Sequence, residues 1–455
     1  MMPLDTSFLA RRQGILHVED LALPELALMF GTPCHIYSHA ALCANLRAFQ
    51  AALAAHPAGA RGLICYAVKV NSNLAILNLF ARMGTGFDIV SGGELERVLA
   101  AGGDADKVVF SGVGKSHAEI HAALMADILC FNVESAAELE RINEIAGTLG
   151  KRAPISLRVN PDVDPQTHPY IATGLKIAKF GIPIDAALAL YERAARLPHL
   201  HVRGVDCHIG SQILNPAPYM EALERLLVLL DALEKRGICV EHLDLGGGLG
   251  IAYRQDETAP EISAYLAPLL DRLQGRNLKL ILEPGRRLVG QAGLLLARVE
   301  YLKPGKARNF AVVDAAMNDL LRPALYGAWH EIVAVEQKTG IPAAIYDVVG
   351  PICESGDFLG KERELAIASG DLLAILSTGA YVMAMSSNYN TRPRAMEIMV
   401  QGGEAHMIRQ REKTADLYAL ECLPPMRATP APPAEPTAEM ANETDKGIAS
   451  RKQMC

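Results

Sequence analysis

The residue best suited to carry chemistry in this sequence is Lys69. It ends an apolar, strand-like run that begins at residue 63, and a polar turn and a helical pattern follow it. Apolar surroundings disfavour a charged ammonium and lower its pKa, which makes the neutral, nucleophilic amine accessible. A Schiff-base lysine requires that amine. The alternative is a lysine whose stem packs on the core while its ammonium reaches solvent.

Further groups could bind a phosphate and an aromatic ring. Gly246, Gly247 and Gly248 lack Cβ atoms, so their backbone N–H groups can approach an anion, and we expect a following helix N-terminus to add positive potential. Arg286 could add a bidentate contact, and Ser211 could add a hydroxyl donor.

Together with a flat imidazole and a carboxylate, these groups meet the needs of pyridoxal phosphate. Lys69 would form the imine, and the glycine run would take the phosphate. His208 could stack on the ring, and Glu283 could keep the pyridine nitrogen protonated so that the ring acts as an electron sink. Each residue has a structural alternative, because His208 could be a core histidine and Glu283 could pair with Arg286 or Arg287. A cofactor-free barrel aldolase that uses Lys69 also stays open.

An alternation of short apolar runs and helical patterns must position these groups. The candidate strands are residues 63–69, 87–90, 107–110, 128–132, 155–159, 202–208, 242–245 and 279–283. Helical periodicity marks residues 92–101, 135–149, 186–196 and 218–236. Eight strands separated by helices indicate an α/β fold of the (β/α)8 type. A doubly wound sheet is the second choice, since its Gly-x-Gly-x-x-Gly motif is missing.

A barrel places functional groups at the C-terminal ends of its strands, and the unusual polar residues of this sequence fall there. They are Lys69, Asp88, Ser91, Ser111, Arg158, His208, the glycines Gly246 to Gly248, and Glu283-Pro284-Gly285-Arg286. We therefore predict that these residues converge on one site.

The pattern of apolar residues changes after about residue 290. Short apolar or alternating runs at residues 294–302, 309–314, 345–349, 372–376, 395–400 and 406–411 are separated by Gly, Pro and Asn. That pattern predicts a mainly β second domain. Residues 424–455 are rich in Pro, Ala, Glu and Thr, which is typical of a disordered tail.

Composition excludes several classes of protein. A formal net charge of -7 over 455 residues, with no basic stripe, argues against nucleic-acid binding. No apolar stretch approaches the ~18 residues of a membrane span, and no signal peptide is recognisable. The nine cysteines are widely spaced without a Cys-x-x-Cys pair, which favours a reducing cytoplasm. We predict no metal site.

The motifs, taken in order, resemble those of the fold type III pyridoxal-phosphate decarboxylases, which include ornithine and arginine decarboxylases, and among them the meso-diaminopimelate decarboxylases. The resemblance runs from about residue 8 to residue 421. It is carried by Tyr66-Ala67-Val68-Lys69, Ser91-Gly92-Gly93-Glu94-Leu95, Cys207-His208-Ile209-Gly210-Ser211-Gln212, Asp244-Leu245-Gly246-Gly247-Gly248, Glu283-Pro284-Gly285-Arg286, Arg322-Pro323-Ala324-Leu325-Tyr326, Gly350-Pro351-Ile352-Cys353-Glu354-Ser355-Gly356-Asp357 and Gly379-Ala380-Tyr381. The segment from Cys353 to Asp357 resembles the diaminopimelate decarboxylases more than the other members of the family.

This resemblance implies an alanine-racemase-like architecture. Residues 1–35 would join the β-domain, residues 36–288 would form the barrel, residues 289–423 would form the β-domain, and residues 424–455 would be the tail. It also implies a cytoplasmic, head-to-tail homodimer with shared active sites, in which Cys353 and Glu354 reach the cofactor site of the partner.

The resemblance further implies decarboxylation of meso-2,6-diaminopimelate to L-lysine and CO2, the last step of lysine biosynthesis. Lys69 and Cys353 would be catalytic. The implied cofactor contacts are Lys69, Asp88, Arg158, His208, Ser211, Gly246, Gly247, Gly248, Glu283, Pro284, Gly285, Arg286 and Tyr381. The implied substrate contacts are Arg286, Arg322, Tyr326, Glu354 and Tyr381. A decarboxylase of ornithine or arginine, or a non-catalytic protein of the same fold, remains the alternative.

Four positions depart from the family pattern. Gly327 and Trp329 stand where relatives usually have an acidic residue and a smaller aromatic residue. Val382 replaces a glycine, and Ala178 replaces an asparagine. None of them removes a chemical group from the implied mechanism, so we expect them to change only pocket shape and loop geometry.

Overall fold

The computed structural model describes residues 8–165, 167–168, 173–174, 179–254 and 256–425. The predictions for Ala178 and for residues 426–455 of the tail lie outside these residues. The chain divides into two compact units, residues 1–414 and residues 415–455. The barrel and the β-domain described below both belong to the first unit.

The strands fall into three sheets. In chain order they are β1 (Leu9–Arg12), β2 (Ile15–Val18), β3 (Leu21–Ala22), β4 (Cys34–Ser38), β5 (Leu63–Ala67), β6 (Gly86–Ile89), β7 (Val108–Phe110), β8 (Cys130–Val133), β9 (Ala153–Asn160), β10 (Ile182–Pro183), β11 (Leu200–Asp206), β12 (His242–Asp244), β13 (Lys279–Leu282), β14 (Gly293–Lys303), β15 (Asn309–Val313), β16 (Ile332–Ala334), β17 (Ala344–Val349), β18 (Phe358–Leu365), β19 (Leu372–Ile375), β20 (Met396–Gln401) and β21 (Glu404–Arg409).

The α-helices lie mostly between the barrel strands. They are α1 (Leu23–Phe30), α2 (His39–Ala54), α3 (Leu74–Arg82), α4 (Gly92–Ala100), α5 (His117–Met125), α6 (Ala136–Thr148), α7 (Ile184–Arg196), α8 (Ala217–Glu234), α9 (Ile262–Leu273), α10 (Arg286–Val289), α11 (Arg322–Tyr326) and α12 (Thr414–Leu417). Within the described ranges, no helix has the length and apolar character that a membrane crossing would need.

Eight parallel strands form a closed barrel, as the sequence predicts. They follow the order β5-β6-β7-β8-β9-β11-β12-β13, and the pairing of β13 with β5 closes the ring. Most of these strands are buried along their whole length, which explains why they read as continuous apolar runs. The two-residue strand β10, which pairs with β9, was not predicted.

Serine caps start three helices that pack around the barrel. Ser91, Ser116 and Ser135 each accept a hydrogen bond from the backbone N–H three residues further on. In each case that third residue is a glutamate, which favours a helix N-terminus. Ser91 therefore lies at the end of β6 as predicted, but its hydroxyl caps α4. Ser111 follows β7, and its hydroxyl accepts a hydrogen bond from the Asn132 side chain at 3.1 Å.

The β-domain is built around β14, which pairs with β15, β19 and β4. All six runs predicted after residue 290 are strands. The strands β16 and β18 were missed. β18 lies at the edge of its sheet and contains the charged run from Lys361 to Glu364, which obscures an apolar pattern.

The chain segment before the barrel contributes to the β-domain, as the family resemblance implies. β4 is completely buried and lies between β14 and β20, antiparallel to the first and parallel to the second. Strands β1 to β3 form a small antiparallel sheet of their own. Because β4 crosses the predicted boundary between residues 35 and 36, the domain limits stay a prediction.

Candidate active site

Lys69 lies at the mouth of the barrel, directly after the first barrel strand. β5 ends at Ala67, and Lys69 is the middle residue of a single 3-10 turn. Its ammonium donates a hydrogen bond to the carboxylate of Asp88 on β6, which is fully buried. The Lys69 side chain keeps 31% of its surface exposed, so its amine is not sealed inside the barrel.

The expectation that apolar surroundings lower the pKa of Lys69 is wrong. Burial does act to lower it, but the carboxylates of Asp88 and Glu283 outweigh burial and raise the pKa of Lys69 above its ordinary value. The sequence argument considered only the apolar strand that carries the lysine. The neighbouring strands supply acidic groups that hold its proton.

Three buried carboxyl groups lie close together at this end of the barrel. Oxygen atoms of Asp206, Asp244 and Glu283 all lie within 4.8 Å of one another. Burial raises the pKa of Glu283 well above its usual range, and the charge of Asp244 adds to the rise. Three carboxyl groups at this spacing repel one another when all are ionised, so the cluster keeps protons that isolated carboxyl groups would lose. A metal ion could also fit this spacing, but Lys69 already provides positive charge beside the cluster, and we assign no metal to it.

The triple glycine packs tightly against the neighbouring loops. Gly246 and Gly248 have φ angles of +64° and +103°, which side-chain-bearing residues rarely adopt. A Cβ atom at Gly247 would overlap the carbonyl group of Glu283, and one at Gly248 would overlap the carbonyl of Gly210. Only glycine therefore fits this turn.

Two N–H groups of the glycine run already bind side chains. The N–H of Gly246 donates to Asp244 at 2.8 Å, and the N–H of Gly247 donates to Nδ1 of His208 at 3.1 Å. Burial, aided by the charge of Arg158, lowers the pKa of His208 well below its usual value. The imidazole is thus neutral, which suits contact with an aromatic ring.

The helix expected directly after the triple glycine is absent from the described residues that follow it. Leu249 instead forms a bridge with Ile213, and the next helix, α9, begins at Ile262. The short helix α10 follows β13 and begins at Arg286. The prediction was wrong because a glycine-rich turn does not by itself start a helix.

A cavity of about 480 Å³ opens beside these groups. Its lining includes six of the predicted site residues, which are His208, Ser211, Arg286, Arg322, Tyr326 and Tyr381. These residues come from the barrel and from the β-domain, so the cavity lies where the two meet.

Two arginines in this cavity are buried, and no acidic side chain in the described part of the chain pairs with either of them. Arg286 donates to the hydroxyl of Tyr253 at 2.7 Å and to Ser211 at 3.0 Å. Arg322 donates to Nε2 of His330 at 2.8 Å. Among the described residues, neither guanidinium lies within ion-pair distance of an acidic side chain, and Nε of Arg286 has no hydrogen-bond acceptor. The cavity is therefore prepared for an anionic group.

Other predicted cofactor contacts have neighbours within the protein. Arg158 forms a buried ion pair with Glu134 at 2.8 Å. The carbonyl of Pro284 accepts a hydrogen bond from the N–H of Ala67 at 3.3 Å. A Cβ at Gly285 would overlap the side chain of Val70, so this glycine allows close packing against the turn that carries the lysine. Direct contact of these residues with a cofactor stays a prediction.

The structure does not bring Cys353 and Glu354 to this cavity. Both are exposed in the loop between β17 and β18. Asn390 accepts a hydrogen bond from the backbone N–H of Cys353 at 2.8 Å, and Tyr389 donates to Glu354 at 3.4 Å. Asp357 in the same loop is buried and accepts two backbone N–H groups. The loop is thus anchored while its thiol and carboxylate face outward.

Three of the four departures from the family pattern lie in described residues. Gly327 ends α11 with a φ of +62°, the left-handed conformation that glycine adopts easily at a helix C-terminus. Trp329 lines the cavity, and Val382 is buried in the core of the β-domain. Among the residues that sequence reasoning missed, Tyr253 and His330 are the ones bonded to the two arginines. No motif marked either of them.

Comparison with known proteins shows the family to which this chain belongs. Residues 39–290 match the family model of the pyridoxal-dependent decarboxylases, pyridoxal binding domain. A diaminopimelate decarboxylase of Pseudomonas aeruginosa is 58% identical over 414 residues, which is 91% of this chain and 98% of that relative. One from Vibrio cholerae is 55% identical over 416 residues, 91% of this chain and 98% of the relative. The crystal structure of diaminopimelate decarboxylase from Helicobacter pylori complexed with L-lysine has a TM-score of 0.84 and 41% identity, covering 88% of this chain and 99% of that one. This chain therefore belongs to the pyridoxal-dependent decarboxylases, in the diaminopimelate decarboxylase family.

Proposed function

We propose that this protein decarboxylates meso-2,6-diaminopimelate to L-lysine and CO2, the last step of lysine biosynthesis, with pyridoxal phosphate as its cofactor. The observation that carries this proposal is the pair of buried guanidiniums, Arg286 and Arg322, that lack an acidic partner among the described residues. Diaminopimelate keeps a carboxylate at the end distal to the reacting carbon, whereas ornithine and arginine have none. An anion-binding pair at that position therefore favours diaminopimelate.

The residues around Lys69 fit the cofactor. When bound, pyridoxal phosphate supplies the electron sink that accepts the electron pair left by the departing CO2. Lys69 supplies the amine that anchors it, and Asp88 holds the proton of that amine when it is free. Glu283 retains a proton because of its raised pKa and can place it at a ring nitrogen. The neutral imidazole of His208 can lie against the ring without bringing a second charge.

We propose that the active enzyme is a homodimer whose two sites are shared. Cys353 and Glu354 are exposed and absent from the lining of the cavity in their own chain. Extending from an anchored loop, they can enter the partner's cavity. There Cys353 returns a proton to the reacting carbon, and Glu354 binds the distal ammonium of the substrate. All eight described cysteines are free thiols, which supports a reducing cytoplasm as the compartment.

The function is tested by measuring CO2 release from meso-diaminopimelate by the purified protein loaded with pyridoxal phosphate. In competition with ornithine, we expect diaminopimelate to be consumed first. A preference for ornithine would contradict the substrate assignment. The absence of a visible cofactor absorbance after loading would instead favour the alternative of a cofactor-free aldolase that uses Lys69.

The shared site is tested by mixing two inactive variants. Lys69→Ala and Cys353→Ala subunits should each be inactive or nearly so when alone. After dissociation and reassociation of an equal mixture, we expect about a quarter of wild-type activity, because half the dimers are hybrid and each hybrid has one intact site. A mixture no more active than its parts would show that both residues act within one chain.

A further inference from the structure

We propose that Tyr253 and His330 are positioning residues that hold Arg286 and Arg322 in place and thereby determine selectivity for a distal carboxylate. This inference rests on the proposed function and adds two residues to its site. Neither residue is proposed to touch the reacting atoms.

Tyr253 contacts both guanidiniums. Its hydroxyl accepts a hydrogen bond from Arg286 at 2.7 Å, and the guanidinium carbon of Arg322 lies 4.7 Å from its ring centroid. A cation over an aromatic face is attracted by the ring quadrupole. The guanidinium carbon of Arg286 also lies 5.8 Å from the same centroid, so one tyrosine contacts both cations without neutralising either of them.

His330 holds the second arginine, Arg322. It is fully buried, and its Nδ1 donates to the carbonyl of Leu376 at 2.9 Å. That bond leaves the lone pair of Nε2 to accept from Arg322 at 2.8 Å. Burial and the charge of Arg322 lower the pKa of His330 to about 3, so the ring stays a neutral acceptor at working pH. The rings of His330 and Tyr253 also pack edge to face, with centroids 5.2 Å apart.

These contacts form one continuous chain between the two domains. It runs from the carbonyl of Leu376 through His330, Arg322, Tyr253 and Arg286 to Ser211. The spacing of the guanidiniums is therefore set before any substrate arrives, which reduces the ordering that binding must impose. A ligand with a distal carboxylate benefits from this arrangement, and a diamine without one does not.

The decisive variant is Tyr253→Phe, which removes the hydroxyl and keeps the ring. In the holoenzyme, we expect the KM for diaminopimelate to rise roughly 10- to 100-fold, as for loss of a hydrogen bond to a charged group, with kcat nearly unchanged. The dissociation constant for L-lysine, which retains the distal carboxylate, should rise by a similar factor. The dissociation constant for cadaverine, which lacks it, should not change. If the dissociation constants for lysine and cadaverine rise equally, or if neither of them rises, the proposal is overturned.

His330 is tested by a pair of variants. His330→Phe removes the acceptor and should weaken lysine binding more than cadaverine binding. His330→Gln keeps a neutral acceptor and should recover most of the lost lysine affinity. Equal defects in both variants would mean that His330 acts only through packing, which would overturn its positioning role. The matched control for Tyr253→Phe is Tyr301→Phe, at a tyrosine on β14 that is 69% exposed. It should leave the dissociation constants for lysine and cadaverine unchanged.

The same measurements separate this inference from the proposed function. A wild-type holoenzyme that prefers lysine to cadaverine but releases no CO2 from diaminopimelate contradicts only the proposed function. A wild-type holoenzyme that decarboxylates diaminopimelate but binds lysine and cadaverine equally well contradicts the role of the arginine pair, and this inference with it.

Discussion

Replacing Asp244 by asparagine should change how the stability of the cofactor-free protein depends on pH. Burial raises the pKa of Asp244 to about 7, and the charge of Asp88 adds to the rise. Because the folded-state pKa exceeds that of the unfolded chain, protonation of this carboxyl stabilises the fold, and the contribution is lost as pH rises toward 7. At roughly 1.4 kcal/mol per pKa unit, this carboxyl alone should lower the free energy of unfolding of the wild type by about 3 kcal/mol between pH 5 and pH 8. The Asp244→Asn variant should not show this decrease.

The assay is urea unfolding of the apoprotein at the two pH values, followed by circular dichroism. Asparagine preserves the shape of the side chain and an oxygen that can accept the hydrogen bond from Gly246. Asp104→Asn, at a side chain that is 62% exposed, is a control in which the pH dependence should match that of the wild type. An Asp244→Asn variant destabilised equally at both pH values would refute the reasoning, because the loss would then come from packing.

The other predictions concern the reaction and the glycine turn. Lys69→Ala should abolish the visible absorbance of the bound cofactor together with CO2 release; retained turnover would remove Lys69 from the mechanism. Cys353→Ala should lower kcat by roughly 10²- to 10⁴-fold, as for loss of a general acid, while the cofactor content measured by absorbance stays at the wild-type level. Gly247→Ala should destabilise the protein by about 1–3 kcal/mol or more, because its Cβ would overlap the carbonyl of Glu283. Thermal unfolding checks this last prediction, and an unchanged midpoint would contradict it.

The barrel could be predicted because its signal is local. Parallel strands covered by helices on the outside are buried on both faces, so each reads as an apolar run between helical patterns. The sheet of the β-domain depends on contacts that are far apart in sequence. Pairing of β4 with β14 and β20 leaves no mark on the sequence of β4 itself. Only the family resemblance indicated that residues before the barrel join that domain.

Sequence reasoning predicted which residues belong to the candidate site, but it misjudged the electrostatics around Lys69. Strand ends predicted that His208, Glu283 and Arg286 converge; in the structure His208 and Arg286 line one cavity, and Glu283 lies in the carboxyl cluster. The charge state of Lys69 depends on carboxylates carried by other strands, so its own segment could not reveal it. Tyr253 follows the glycine run in a loop without a recognisable pattern, and only the folded geometry connects it to an arginine.

The position of β4 also bears on how the protein is made. During translation β4 leaves the ribosome before β14 and β20, which follow only after the entire barrel has been synthesised. At about 5–20 residues per second, the nascent strand waits many seconds with both edges unpaired. All residues of β4 are buried in the finished sheet, so the strand exposes apolar surface until β14 and β20 pair with it. Chaperones that shield exposed strand edges should therefore increase the yield of this chain, and removal of β4 should leave β14 and β20 open to aggregation.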